Sequence, residues 1–164
     1  MHIGVHAATH PNKLALVVPS SGYTQTFAQL NAAANRLSQL FRAAGLQPGD
    51  HVALCMENHD RYLEILWGCQ FAGLVYTAAS SRLTSNELTY ILNDCDAKAF
   101  ITSKYKADQA AEIVAGTPHV AMRLMLDGVI PGYESYEDAV SQQSDAPLEN
   151  RIAGIDMLYS SGTT

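Results

Sequence analysis

Four short apolar segments, Val52–Met56, Leu74–Thr77, Lys98–Thr102 and Met122–Leu126, are separated by stretches with the period of helices. This alternation constrains the fold more than any other feature of the chain. Parallel strands cannot be joined by a tight turn; they need a crossover of about a dozen residues or more. Each gap between the four segments is long enough to supply one. The sequence therefore predicts an α/β fold: a largely parallel sheet flanked by helices.

Helix boundaries are written into the chain. Thr26 and Gln29, then Thr84 and Glu87, have the spacing of a capping box, in which each side chain satisfies a free backbone N–H of the first turn. After Thr26, the residues Phe27, Leu30, Ala34, Leu37, Phe41 and Ala44 form one apolar stripe, and Gly45 is suited to end the helix. Residues 58–72 read as a helix capped by Asn58 or Asp60. It carries Leu63, Ile65, Leu66, Trp67 and Phe71 on more than one face, so it is expected between layers. Residues 104–115 read as a helix and 135–141 as a short one. Before all of these, residues 1–10 suggest a helix ended by Pro11, and Leu14–Val18 with Tyr23–Thr26 an N-terminal hairpin around Pro19–Gly22. Ser144–Asn150 is polar and reads as a surface connection, and residues 155–160 return to a strand pattern.

Composition narrows the function. The net charge of −6 disfavours nucleic acid or an anionic membrane as partner. No apolar run approaches the roughly 20 residues of a transmembrane helix, and the start of the chain lacks a signal-peptide pattern. Cys55, Cys69 and Cys95 form no CxxC pair, which suggests reduced thiols and a cytoplasmic setting. Charged residues are 16% of the chain, against about 25% in an average domain, so some surface is expected to be covered by something else.

Several polar groupings invite a chemical reading. His2, His6 and His10 are spaced for one helical face, but no acidic or cysteine partner accompanies them, and solvated imidazoles on a frayed helix explain them without a metal. Glu57, Asp60 and Glu64 are read as negative charge at a helix N-terminus, not as an acid–base set. Arg82 is read as scaffold in a structural ion pair. At the end of the chain, residues 156–164 place small hydroxyl residues and a glycine directly after a strand. Ser160, Ser161, Gly162, Thr163 and Thr164 offer hydroxyls and unobstructed backbone N–H groups, the donors that phosphate oxygens need. The GxxxxGK[ST] pattern is absent, so an ordinary P-loop NTPase is not indicated.

The order of motifs is more specific than any one of them. Thr26-Phe27-Ala28-Gln29-Leu30-Asn31, Ala34-Asn35-Arg36-Leu37, residues 46–54, Met56-Glu57-Asn58, Leu63-Glu64, residues 72–76, Arg82-Leu83-Thr84, residues 87–92, Ala97-Lys98 and finally Tyr159–Thr164 resemble the opening of the acyl-CoA synthetase, or adenylate-forming AMP-binding, superfamily. The resemblance covers nearly the whole chain. It implies an incomplete N-terminal α/β domain over residues 1–164 that stops inside the signature loop. It marks Ser160, Ser161, Gly162, Thr163 and Thr164 as phosphate-contacting, with ATP, Mg2+ and coenzyme A as cofactors and a carboxylic, expectedly fatty, acid as substrate. In such enzymes the acid is activated as an acyl-adenylate and a thiol displaces AMP. Residues 76–81 depart from the pattern, since most relatives carry a proline there; a Tyr-Thr-Ala run favours the CoA-ligase branch.

The resemblance also implies what lies elsewhere: the acyl pocket, the adenine contacts and the catalytic lysine. No catalytic or metal-binding residue is therefore assigned, and the isolated chain is expected to be inactive. Two rivals remain: an adenylation enzyme that loads a carrier protein, and a non-catalytic interaction module. An apolar face on the helix at 60–72, left uncovered, is expected to drive self-association.

Overall fold

The computed structural model describes residues 2–159. A short helix, α1 (Ile3–Thr9), opens the chain. The hairpin β1 (Leu14–Val18) and β2 (Tyr23–Thr26) follows as a separate antiparallel pair. Next come α2 (Phe27–Ala43), β3 (His51–Cys55), α3 (Tyr62–Ala72), β4 (Val75–Ala79), α4 (Ser85–Asp94) and β5 (Ala97–Ser103). A single 3-10 turn at Lys104–Lys106 leads into α5 (Ala107–Ile113). The rest is β6 (Met122–Leu126), β7 (Glu134–Ser135), α6 (Tyr136–Ser141) and β8 (Ile155–Asp156).

The six strands β3 to β8 form one sheet in the order β7-β6-β5-β3-β4-β8, and every pairing is parallel. The four apolar segments are its centre, as the alternation predicts. β7 is an addition: two residues, one of them exposed, carry no apolar pattern that would announce a strand.

Both predicted capping boxes form. Thr26 Oγ1 accepts from Gln29 N at 3.3 Å while Gln29 Oε1 accepts from Thr26 N at 2.8 Å; Thr84 and Glu87 repeat the arrangement. Helix α2 ends at Gly45, whose φ of +88° is a left-handed conformation that glycine adopts without a Cβ penalty. The cap expected for α3 is wrong. That helix begins at Tyr62, and Arg61 precedes it with no side-chain cap. Asn58 and Asp60 lie too far upstream, and Asp60 instead accepts a hydrogen bond from Ser21 Oγ of the hairpin turn at 2.9 Å.

Two cores flank the sheet. On one face Leu37, Phe41, Ile65, Cys69 and Tyr136 from α2, α3 and α6 pack on Val52, Leu54, Ile101 and Leu124. On the other, Leu88, Leu92, Ala110 and Ile113 from α4 and α5 pack on Ala53, Phe100 and Met125. Helix α3 has a second apolar side, and it is covered within the chain. Phe71, Trp67 and Leu63 pack with Ile3 of α1, Ala15 of β1, and Phe27 and Leu30 of α2. The expectation that α3 would expose an apolar face is thus corrected. The N-terminal helix and hairpin supply the cover.

Candidate functional site

The residues that sequence marks for phosphate, Ser160, Ser161, Gly162, Thr163 and Thr164, lie outside the described residues. The structure shows how the chain is delivered to them. After α6 a strap over residues 142–152 crosses α2. Asn35 Nδ2 donates to Asp145 O at 2.8 Å, Arg36 pairs with Asp145 at 3.0 Å, and Gln39 Nε2 donates to Ala146 O at 2.9 Å. The Arg151 guanidinium then sits 3.7 Å over the Phe71 ring and donates to Asn35 Oδ1. So the polar connection foreseen at 144–150 is tied down by polar side chains of α2.

Next, Gly154 passes the end of α3. Its N–H donates to Gln70 O at 2.9 Å, and a Cβ there would meet Leu74 O and lie 2.9 Å from Cys69 O. Only glycine permits that approach, and it lets Ile155 pair with Val75 and Asp156 with Tyr76 at the edge of the sheet.

Beyond β8 a cavity of about 530 Å3 opens between the carboxyl half of β4 and α4. Thr77, Ser80, Leu83, Tyr90, Leu158 and Tyr159 are among its walls. Thr77 is 2% exposed, and its Oγ1 has no hydrogen-bond partner among the described residues. Tyr159 Oη donates to Asp94 Oδ2 at 2.6 Å. Burial first, and the hydrogen bond to Asp94 second, push the phenol well above the ordinary tyrosine range. The loops at the carboxyl ends of the neighbouring strands close on one another. Ser103 Oγ donates to Glu57 Oε2 at 2.5 Å, and Lys106 Nζ donates to Ser81 O at 2.8 Å.

The acidic group of the sequence reading disperses. Glu57 serves Ser103, Asp60 serves Ser21, and Glu64 is buried in α3. Glu64 accepts from Tyr136 Oη at 2.9 Å and faces Arg61 at 3.3 Å and Gln25 Nε2 at 3.4 Å. Glu64 stands in the first turn of α3, as read, but it is buried there and forms the centre of a polar cluster. Tyr136 was invisible as its partner because 72 residues separate them. Among the described residues Arg82 forms no ion pair; its N–H donates to Ser80 Oγ at 3.3 Å.

Two of the three N-terminal histidines also stack on aromatic rings, His2 while still exposed and His6 half-buried. His2 stacks on Phe71 with ring centroids 4.9 Å apart, and His6 stacks on Phe27 at the same separation. No group of three or more His, Cys, Asp or Glu side chains is placed to hold a metal ion among the described residues. All three cysteines are buried free thiols, and no described helix is long and apolar enough to cross a membrane.

A family profile described as AMP-binding enzyme matches residues 4–164. The chain belongs to the AMP-binding enzyme family. Among curated relatives it is 30% identical over 159 residues to the fatty acid–[acyl-carrier-protein] ligase ScoC of Streptomyces coeruleorubidus, covering 97% of this chain and 30% of the ligase. It is 34% identical over 154 residues to a feruloyl-CoA synthase of Amycolatopsis sp, covering 92% of this chain and 28% of that protein. The anthranilate CoA ligase AuaEII, solved with anthranoyl-AMP, superimposes with a TM-score of 0.87 at 25% identity. The alignment covers 99% of this chain and 32% of the ligase. A Mycobacterium tuberculosis fatty acyl CoA synthetase gives 0.86 at 26% identity, over 97% of this chain and 32% of the synthetase. The AMP-binding chain described here thus spans about a third or less of the length of these relatives.

Proposed function

We propose that this chain is the N-terminal part of an ATP-dependent acyl-CoA ligase, one domain's beginning and one edge of its nucleotide site. The family match running to Thr164 carries the reading. It is supported by a parallel strand, β8, that leads directly into Tyr159 and the hydroxyl-rich residues after it. Small residues following a parallel strand suit phosphate, because several backbone N–H groups and hydroxyls can converge on one anion without side chains in the way.

In this reading Ser160, Ser161, Thr163 and Thr164 contribute hydroxyls and Gly162 an unobstructed N–H to the phosphates of ATP. They orient the triphosphate so that a carboxylate can reach its α-phosphorus. When bound, ATP supplies the adenylyl group, Mg2+ the counter-charge and coenzyme A the acceptor thiol. The donor set of residues 160–164 fits phosphate oxygens. The described residues offer Mg2+ no ligand set, so no step of this chain is assigned through it.

Aligned relatives act on different acceptors by name, one on an acyl carrier protein and others on CoA. Carrier-protein loading is therefore the second reading. The full-length protein, given ATP and a panel of fatty and aromatic acids, should release pyrophosphate in an acid-dependent way and form acyl-CoA, detected by chromatography. Acyl transfer to a phosphopantetheinylated carrier protein but not to CoA would select the second reading. Absence of acid-dependent pyrophosphate release would remove both.

A further inference from the structure

The chain leaving β8 stops short of pairing with all of its neighbour. β4 runs from Val75 to Ala79, yet β8 pairs only with Val75 and Tyr76, and the final contact is Met157 N donating to Tyr76 O at 2.8 Å. In a parallel ladder, every second residue of a strand turns both its N–H and its C=O to the same neighbour. On β4 Tyr76 turns to β8, so the next to do so is Ala78. Ala78 is exposed, and among the described residues neither Leu158 nor Tyr159 makes a backbone hydrogen bond to Thr77–Ala79.

The chain turns onto α4 instead. Asp94 accepts the Tyr159 hydroxyl on one carboxylate oxygen at 2.6 Å and the Tyr90 hydroxyl on the other at 3.4 Å. Asp94 is the last residue of α4 and lies just before β5 begins at Ala97, toward the amino ends of the strands. Ala79 lies at the opposite, carboxyl end of β4. The 530 Å3 cavity is lined by Leu158 and Tyr159 as well as by Thr77, Ala78 and Ala79 of β4. The space into which a longer β8 would close is therefore open.

We infer that the Tyr159–Asp94 hydrogen bond is a latch: while it holds, residues 157–159 are tucked against α4, and when it opens β8 zips along β4 through Tyr159. The register is already set. Ile155 opposite Val75 and Asp156 opposite Tyr76 place Leu158 opposite Ala78 and Tyr159 opposite Ala79. The lengthened strand then ends at the carboxyl end of the sheet, where open α/β sheets bind ligands. The two arrangements are close in hydrogen bonding. The tucked one has a short phenol–carboxylate bond. The zipped one gains Ala78 N–H to Met157 O and Tyr159 N–H to Ala78 O. Met157 already packs on the α4 side of the sheet, and the period-two alternation of a strand turns Tyr159 to that same side, so its ring stays within the cavity.

The latch takes its purpose from the phosphate reading of Ser160–Thr164, but it is tested without phosphate. In the 15N-labelled chain, the Leu158 and Tyr159 amides should exchange without protection and show no cross-strand NOE to Ala78. In Asp94→Ala, the Tyr159 amide should gain at least about tenfold protection, and Leu158–Ala78 NOEs should appear. Tyr159→Phe removes only a hydroxyl and answers the same question if Asp94→Ala folds poorly. Leu158–Ala78 NOEs already present in the unaltered chain, or no gain of protection in either variant, would overturn the latch. A separate tripolyphosphate titration of the zipped variant addresses the loop: no binding there counts against the phosphate reading and leaves the latch standing.

Discussion

Tyr136 of α6 donates its hydroxyl to Glu64 of α3 at 2.9 Å, and each of the two residues is 1% exposed. A carboxylate this far from water needs its lone pairs filled. Arg61 and Gln25 provide further contacts at 3.3 and 3.4 Å, so the hairpin, α3 and α6 meet at one group. Tyr136→Phe keeps the ring and removes one charge-assisted bond. It should lower stability by about 1.5–3 kcal/mol, measured by urea unfolding. A loss below about 0.5 kcal/mol would show that Glu64 is satisfied without Tyr136.

Alkaline pH should weaken the fold through Tyr136 and a second buried phenol, Tyr133, whose hydroxyl donates to Ala110 O at 3.0 Å. Burial pushes Tyr133 up to about 12, and burial followed by the Glu64 charge pushes Tyr136 well above its ordinary value of 10.0. In both cases the folded pKa lies above the unfolded one. Their contribution is therefore complete below pH 10.0. Above it the unfolded chain releases protons first, so stability falls as pH rises, and the Tyr133 share is gone past about 12. Denaturation midpoints taken from pH 8 upward should fall first from about pH 9, through the thiols of Cys55, Cys69 and Cys95 that burial also pushes up, and more steeply from about pH 10 as the phenols join. Tyr133→Phe should flatten the fall; an unchanged slope in that variant would contradict the assignment.

Gly154 should tolerate no side chain. Its hypothetical Cβ meets the backbone at Leu74 O and Cys69 O, which cannot swing aside as a side-chain end would. Gly154→Ala should therefore cost about 1–3 kcal/mol and separate β8 from β4. The decisive measurement is hydrogen exchange at Ile155 and Met157, whose amides donate to Leu74 O and Tyr76 O. Protection retained at both in the variant would rule this out.

The sheet was legible in the sequence because its central strands are apolar runs with helical sequence between them, and both capping boxes because their signal is local. What escaped was set by distance or by geometry. Glu64 resembles any acidic residue near a helix start until Tyr136, far along the chain, is brought over it. The start of α3 escaped because no residue before Tyr62 caps it. Gly154 lies in an unremarkable Ala-Gly-Ile stretch, and only the end of α3 beside it makes glycine necessary. The hydroxyl-rich residues proposed for phosphate stand out as residue types, whereas the path of the chain toward them depends on the strap, on Arg151 over Phe71 and on the Asp94 contact, none of which has a local pattern.

Self-association of this chain should depend on the β8 edge and not on α3. Helix α3 is covered on both apolar sides, whereas Ile152, Ile155 and Leu158 are 58%, 60% and 77% exposed. Ile155 lies in the last strand of the sheet, with Ile152 before it and Leu158 after it, and among the described residues the outer backbone groups of that strand have no neighbouring strand. An edge carrying exposed apolar residues is a template for pairing, and a lysine on it is a common guard. Sedimentation velocity across a micromolar concentration series should therefore show the chain associating. Ile155→Lys should shift the monomer–dimer midpoint upward by about tenfold or more, equivalent to about 1.4 kcal/mol of association free energy. Trp67→Ala in α3 acts as the contrast: it opens a cavity inside the chain and should lower thermal stability without weakening association. If Ile155→Lys associates as strongly as the unaltered chain, contact is made through another surface, and the exposed Leu14 and Val17 of β1 become the next to test.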